Sequence, residues 1–357
     1  MEAERLIAKP GREPPSLVHR MSGRCAGLSD PAWRSTVAQP VALFVGMRGD
    51  HILVLPALRA LAGLFAGRLT LICGTGARAL YFSDVDLRRV IETPFDLDGN
   101  GEFDAEAIAA GVGQCDLFVS LLPWYARSVQ ELLRYLTPDV TVGLNGDFSH
   151  VVPNSRKHSA DMAFDLARCF DPRLDFAEYS APPVFCAAAQ ARAEQLCNRL
   201  PRSARVLALH SETKARKTWP ADRFTDVVDG FLERHPEFVV VVVDEKPSAI
   251  NRGRHADRVF SFPGNPIDVA FCLVAQADCF LGVDSCMLHV ADFCRVPGVG
   301  LFGPSSSHEF GFRVTPHVHV CGDGSMNSIQ AGAVSAALET VVGLFPRRDG
   351  SARGARP

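Results

Sequence analysis

Val41-Ala42-Leu43-Phe44-Val45-Gly46 is a continuous apolar run, the pattern of a parallel strand buried on both faces. Met47-Arg48-Gly49-Asp50 follows it, and Leu53, Ala57, Leu58, Leu61 and Leu64 then fall near one helical stripe. Leu69-Thr70-Leu71-Ile72-Cys73 is a second strand. Strand, helix, strand in this order makes a parallel sheet with helices laid over it. The rhythm continues with strands at Asp116–Ser120 and Val140–Gly143 and the helix Val129–Leu136 between them.

Pro182-Pro183 and the polar helical stretch Ala187–Leu200 interrupt the rhythm, which restarts at Arg205-Val206-Leu207-Ala208-Leu209-His210. Trp219-Pro220 opens a helix with Phe224, Val227, Val228 and Phe231 inward. Strands are expected at Phe238–Val243, Cys279–Gly282 and Gly298–Phe302. Helices are expected at Asp268–Gln276, Met287–Cys294 and about Gln330–Leu344. The chain has 357 residues, which at roughly 100–200 residues per domain makes two. The reading is a disordered tail over 1–40, one α/β domain over 41–185, a linker over 186–204, a second α/β domain over 205–346 and a short disordered tail over 347–357. Ligands of such sheets bind beyond the carboxyl ends of the strands, so the expected site is the cleft where the two sheets face each other.

Composition narrows the function. A formal net charge of -3 argues against a nucleic-acid binder, which usually carries a basic stripe. No apolar run reaches the roughly 20 residues that cross a bilayer. No apolar segment near the N-terminus reads as a secretory signal. Nor does any basic amphipathic helix call for membrane contact. The eleven cysteines are scattered without a C-x-x-C pair, which suits reduced thiols in a cytoplasmic protein. Cys272, Cys279, Cys286 and Cys294 lack metal-ligand spacing, so no metal site is expected.

Three constellations carry chemistry. Asp50 stands where a helix begins at the cleft end of the first sheet; it is either a helix cap or a carboxylate general base. Thr213, Lys214, Arg216 and Lys217 lie on a loop after the first strand of the second half, where cations and free N–H groups suit an anion. Gly282-Val283-Asp284-Ser285-Cys286-Met287-Leu288-His289 is again a strand end turning into a helix, with the N–H groups of Ser285 to Met287 free to face a phosphate. His289 alone reads as a core histidine.

The run Gly282-Val283-Asp284-Ser285, His289-Val290-Ala291, Pro297 and Leu301-Phe302-Gly303-Pro304 resembles the C-terminal signature of the heptosyltransferase-like glycosyltransferases of family nine. Gly49-Asp50 through Pro56-Ala57-Leu58-Arg59-Ala60-Leu61 is similar to their N-terminal element, and Lys217-Thr218-Trp219-Pro220 through Arg223-Phe224 to their K-x-W-P-x-x-R-F element. The resemblance spans about residues 41–345. It implies an α/β protein of the GT-B type, two facing Rossmann-like domains with parallel sheets and an inter-domain cleft. It also implies metal-independent, inverting sugar transfer with no cofactor beyond the nucleotide-sugar donor, commonly ADP-heptose. Asp50 matches the proposed base and Lys217 a lysine on the donor phosphates. Thr213, Asp284, Ser285, Cys286, Met287 and His289 fall in the donor loops, and Arg48 and Gly49 on the acceptor side.

The sequence departs from the pattern in three places. Cys286 replaces the usual Gly after Asp-Ser. Glu212 stands where small or hydroxyl residues are common, so that either the outer part of the donor differs or Glu212 meets sugar hydroxyls. Val243-Asp244-Glu245-Lys246-Pro247 replaces a Gly-rich opening, leaving Asp244 or Glu245 for the ribose. Residues 41–185 hold 12 Lys/Arg and 18 Asp/Glu, a balance of -6. That balance predicts a neutral or cationic acceptor, such as an amino sugar or aminocyclitol, rather than an anionic one. Asp96 and Asp98 belong to the acidic loop that suggests it. The stretch Asp96–Asp104 also matches the first nine positions of an EF-hand loop, but Ala107 stands at the twelfth, where a bidentate Glu is required. Two other readings compete with the transferase: a GT-B-like sugar-nucleotide epimerase, and a catalytically silent nucleotide-sugar sensor.

Overall fold

The computed structural model describes residues 27–95, 102–154, 156–248, 250 and 253–344. The Val41 run forms β1 (Pro40–Phe44), all of it buried because sheet neighbours flank it and helices cover both faces. Behind it come β2 (Thr70–Gly74), β3 (Arg89–Thr93), β4 (Leu117–Ser120), β5 (Val140–Gly143) and β6 (His150–Val151). The second half supplies β7 (Arg205–His210), β8 (Phe238–Val242), β9 (Val259–Ser261), β10 (Cys279–Val283), β11 (Gly298–Phe302) and β12 (His317–Cys321). The sheets run β3-β2-β1-β4-β5-β6 and β12-β11-β10-β7-β8-β9. Every pairing is parallel. Each sheet therefore reverses direction once, between β1 and β4 and between β7 and β10. Those are the crevices where ligands of open α/β sheets lie.

The helices of the first half are α1 (Pro31–Thr36), α2 (Arg48–Leu64), α3 (Ala77–Tyr81), α4 (Ala105–Val112), α5 (Arg127–Leu136), α6 (Ser159–Arg168) and α7 (Phe176–Tyr179). Those that follow are α8 (Ala187–Cys197), α9 (Ala221–Arg234), α10 (Ile267–Ala275), α11 (Cys286–Phe293), α12 (Ser307–Phe310) and α13 (Ala331–Leu344). The tail expected over 1–40 is corrected from residue 27 on. Asp30 caps α1 by accepting from Ala32 N–H at 2.8 Å, Pro31 opens that helix, and Leu28 and Val37 are buried. The rest of the tail, and the C-terminal one, lie outside the described residues. Within 186–204, α8 docks on α10 through buried Ala189, Ala193 and Leu196.

Alternation along the second sheet divides its side chains between two faces. Phe238, Val240 and Val242 enter a core under α9 and α13, whereas Val239, Val241 and Val243 enter the other. That other core is continuous with the core of the first half. It crosses the seam at Tyr81–Phe271, Phe185–Phe271 and Phe176–Phe293, with ring centroids 6.0, 5.9 and 6.4 Å apart. Helix α2 lies between, packed on α6 and α11 and buried from His51 to Leu58.

The quoted sequence elements have structural work as well. Arg59 donates to Asp84 at 2.8 Å and to the carbonyls of Tyr179, Ala181 and Pro182, anchoring the chain where it leaves the first half. Trp219 Nε1 and Arg223 both donate to the carbonyl of Ile329, at 3.2 and 2.7 Å. A Cβ on Gly303 would stand 2.5 Å from Met326 N, so the Phe302-Gly303-Pro304 turn admits no side chain there.

Candidate active site

The two strand-to-helix turns meet. Gly49, in the first turn of α2, lies against the first turn of α11: a Cβ there would be 2.9 Å from His289 Cδ2 and 3.5 Å from Cys286 Cα. Gly49 is thus the residue that lets the two helix N-termini approach. Gly49→Ala forces His289 or α11 to move. It should cost about 1–3 kcal/mol, the usual range for overpacking, read as a lower midpoint in thermal unfolding.

Asp50 is the third residue of α2. Its Oδ2 accepts from Met47 N–H at 3.2 Å, so it does take part in capping the helix. Even so, burial pushes its carboxyl up to about 6, with Met47 N–H, Lys217 and Lys214 pulling it down and Asp284 raising it. A carboxyl held at that value is ionised at neutral pH but easily reprotonated, which is what a general base needs. Those cationic and anionic neighbours all belong to the second half.

Lys217 ends a short 3₁₀ turn (Ala215–Lys217), and its Nζ meets Asp284 Oδ2 at 2.5 Å. Thr213 Oγ1 donates to the carbonyl of Asp284 at 3.3 Å. Asp284 directly follows β10, and Ser285 stands in the N-cap position of α11. The Ser285 hydroxyl is buried without a protein partner among the described residues. Cys286 begins α11; burial pushes its thiol up to about 11, with Arg48 pulling it down, so it stays a neutral thiol. Met287 is 3% exposed, so its side chain belongs to the core. Burial lowers His289 to about 4, and its Nδ1 has no partner among the described residues. His289 is thus a neutral imidazole between the two halves. Arg48 is exposed beside this turn.

The departures from the family pattern acquire a physical reason. Glu212 Oε2 accepts from the N–H groups of Glu245 and Lys246, at 2.5 and 3.2 Å. Asp244 in return accepts from Ser211 N–H and Oγ, at 2.8 and 2.5 Å, and from Glu212 N–H at 3.3 Å. Its carboxyl lies 3.0 Å from His210 Nδ1. Burial alone would raise Asp244, but His210 and Ser211 hold it below the usual carboxylate range. The loops after β7 and β8 are therefore laced to each other by two carboxylates. Glu212 is turned onto backbone amides, while Glu245 is exposed. Sequence reading missed this lacing, because its partners are backbone groups more than thirty residues away.

Asp96 and Asp98 lie outside the described residues. Of the remaining acidic loop, Glu102 accepts from Arg127 and Ser128 N–H at 3.2 and 2.7 Å, capping α5, and Asp104 accepts from Ala107 N–H at 3.0 Å, capping α4. Among the described residues no group of three His, Cys, Asp or Glu is placed to hold a metal ion. No helix among them is long and apolar enough to cross a membrane.

Two facing Rossmann-like sheets with reactive groups at both switch points define a GT-B architecture, the fold of nucleotide-sugar transferases. The sequence model of glycosyltransferase family 9 (heptosyltransferase) matches residues 131–336. The chain belongs to that family and is a glycosyltransferase. Solved structures agree on the fold. A family 9 glycosyltransferase from Veillonella parvula superposes with a TM-score of 0.68 at 17% identity, covering 84% of this chain and 96% of that one. Escherichia coli heptosyltransferase WaaC with ADP gives 0.60 at 16% identity over 85% of this chain and 100% of that one. Escherichia coli ADP-heptose lps heptosyltransferase II gives 0.60 at 15% over 85% and 98%. No curated protein is matched by sequence.

Proposed function

We propose that the protein moves a heptose from ADP-heptose to a hydroxyl of a carbohydrate-like acceptor, with inversion and without a metal ion. The observation that carries this is a carboxyl raised to about 6 facing a lysine and a helix N-terminus of the other half. Asp50 takes the proton of the acceptor hydroxyl as its oxygen attacks the anomeric carbon. The bond from that carbon to the diphosphate breaks on the opposite face, and ADP leaves. Lys217, the Thr213 hydroxyl and the N–H groups at the start of α11 meet the charge that develops on the diphosphate. In this reading residues 205–346 hold the donor and residues 41–185 the acceptor, with Arg48 and Gly49 on the acceptor side. Asp284 positions Lys217, and exposed Glu245 is the group left for the ribose. The donor assignment leans on WaaC, solved with ADP and with ADP-2-deoxy-2-fluoro heptose. The acidic balance of the first half favours a neutral or cationic acceptor.

Calorimetric titration with ADP, UDP and GDP tests the donor. ADP should bind at least tenfold more tightly than the other two. Selective UDP or GDP binding would remove heptose from the reading, and no binding by any of the three would favour a silent protein.

A further inference from the structure

The ladder between β7 and β8 ends where Val243 N–H donates to Leu209 O at 2.9 Å. Past that bond the amides of Ser211, Glu212, Glu245 and Lys246 lie beyond the strands, and each needs an acceptor. Two carboxylates serve all four. Asp244, from the loop after β8, accepts from Ser211 and Glu212 N–H at 2.8 and 3.3 Å. Glu212, from the loop after β7, accepts from Glu245 and Lys246 N–H at 2.5 and 3.2 Å. Each loop thus carries the acceptor for the amides of the other.

This reciprocity is more than local capping requires. A serine or asparagine satisfies amides of its own loop and leaves the neighbouring loop alone. Here neither loop can shift without breaking charge-assisted bonds of both, and such bonds are roughly twice as strong as neutral ones. Asp244 is 4% exposed and also accepts from Ser211 Oγ at 2.5 Å, so the root of the loop after β7 is fixed from inside the protein.

The two laced loops end on different groups. From Ser211 the chain runs to Thr213, whose hydroxyl donates to Asp284 O at 3.3 Å, and on to Lys217, whose Nζ meets Asp284 Oδ2. On the other side the Glu245 backbone is pinned twice. Its N–H donates to Glu212, and its carbonyl accepts from Gly264 N–H at 3.2 Å, while Glu245 itself remains exposed.

We infer that Glu212 and Asp244 are positioning residues that couple recognition of the nucleoside to recognition of the diphosphate. The inference rests on the donor reading above, in which Glu245 meets the ribose and Thr213 and Lys217 meet the diphosphate. A nucleoside held at Glu245 fixes, through the two carboxylates, the loop that carries Thr213 and Lys217. The cost of ordering that loop is then met by the nucleoside, and the β-phosphate arrives at groups already in place.

Calorimetry on the full chain with ADP and AMP reads the coupling as the ratio of the two affinities, which is the part added by the β-phosphate. Glu212→Ala, at a half-buried position, frees the two amides. It should lower the ratio by about tenfold, within the range usual for coupled sites, while AMP affinity falls by a smaller factor. Glu212→Gln keeps an oxygen for those amides and should recover most of the ratio. Asp244→Asn, which loses the acceptor for the Ser211 hydroxyl, should lower the ratio as Glu212→Ala does. Should the wild type select UDP or GDP, the mono- and diphosphate of that base give the same ratio. An equal fall in both affinities would make the clasp merely structural. That result, or an unchanged ratio in Glu212→Ala beside a wild type that binds the diphosphate, would overturn the coupling and leave the donor reading standing. A wild type that binds no nucleoside diphosphate would remove the donor reading, and the coupling with it.

Discussion

Asp50→Asn is expected to lower kcat by about 10³-fold, within the 10²–10⁴ typical of losing a positioned base, while the folded protein becomes more stable. The first effect follows from the proton the acceptor hydroxyl must lose. The second follows from burial. The Asp50 carboxyl sits at about 6 rather than at its ordinary value of 3.8, so the native state binds its proton more tightly than the unfolded chain does. That contribution to stability is fully present below pH 3.8 and is lost as the pH rises through 6. At pH 8 the ionised carboxylate therefore costs up to about 3 kcal/mol, at 1.36 kcal/mol per unit. Asparagine carries no such charge and still caps a helix. Chemical denaturation should show the variant more stable than wild type at pH 8, with the difference shrinking towards pH 4. In the wild type, kcat/KM should rise with pH and level off above about 6. A variant that keeps full activity, or a rate that falls as the pH rises through that value, would remove Asp50 from the role of base.

Lys217→Ala is expected to act on binding and on stability together. Removing its ammonium takes away a charge-assisted contact to the diphosphate, a loss of about 10–100-fold in ADP affinity. It also leaves the buried Asp284 carboxylate without its partner at 2.5 Å, a loss on the order of 3 kcal/mol. The double variant Lys217→Ala/Asp284→Asn separates the two. Stability should return, since no uncompensated charge remains, whereas ADP affinity should stay low. Recovery of affinity in the double variant would mean that the lysine serves only to neutralise Asp284.

The central strands were legible because burial on both faces removes polar alternation: β1, β7 and β11 read as unbroken apolar runs. Edge strands β3, β9 and β12 escaped because they are partly exposed and carry polar residues that break the apolar run; His317-Val318-His319 reads as polar chain until Phe312 and the sheet are placed beside it. The N-terminal tail was over-extended for a different reason. Asp30-Pro31 is a helix-start signal, but its helix has six residues and no apolar stripe of its own. At the site, Asp50, Lys217 and Asp284 could be picked out because each follows a buried strand at a turn. The turning of Glu212 onto the 245–246 amides could not, since the carboxylate and its partners come together only through the pairing of β7 with β8. The contact of His158 Nε2 with Gly311 O, at 2.9 Å, was hidden for the same reason, since the docking of the two halves makes it.

The shared core beneath that seam bears on how such chains diversify. Many two-domain proteins trade halves as modules, because contacts between domains are sparse and polar. Here Gly49 is fitted to His289, Phe271 to Tyr81 and Phe185, and Asp161 to Arg313. A chimaera joining the first half of one family member to the second half of another would inherit mismatched partners at every one of these contacts. New donor or acceptor preferences are reached more easily by substitution in the loops above the strands, within one lineage, than by recombination between lineages.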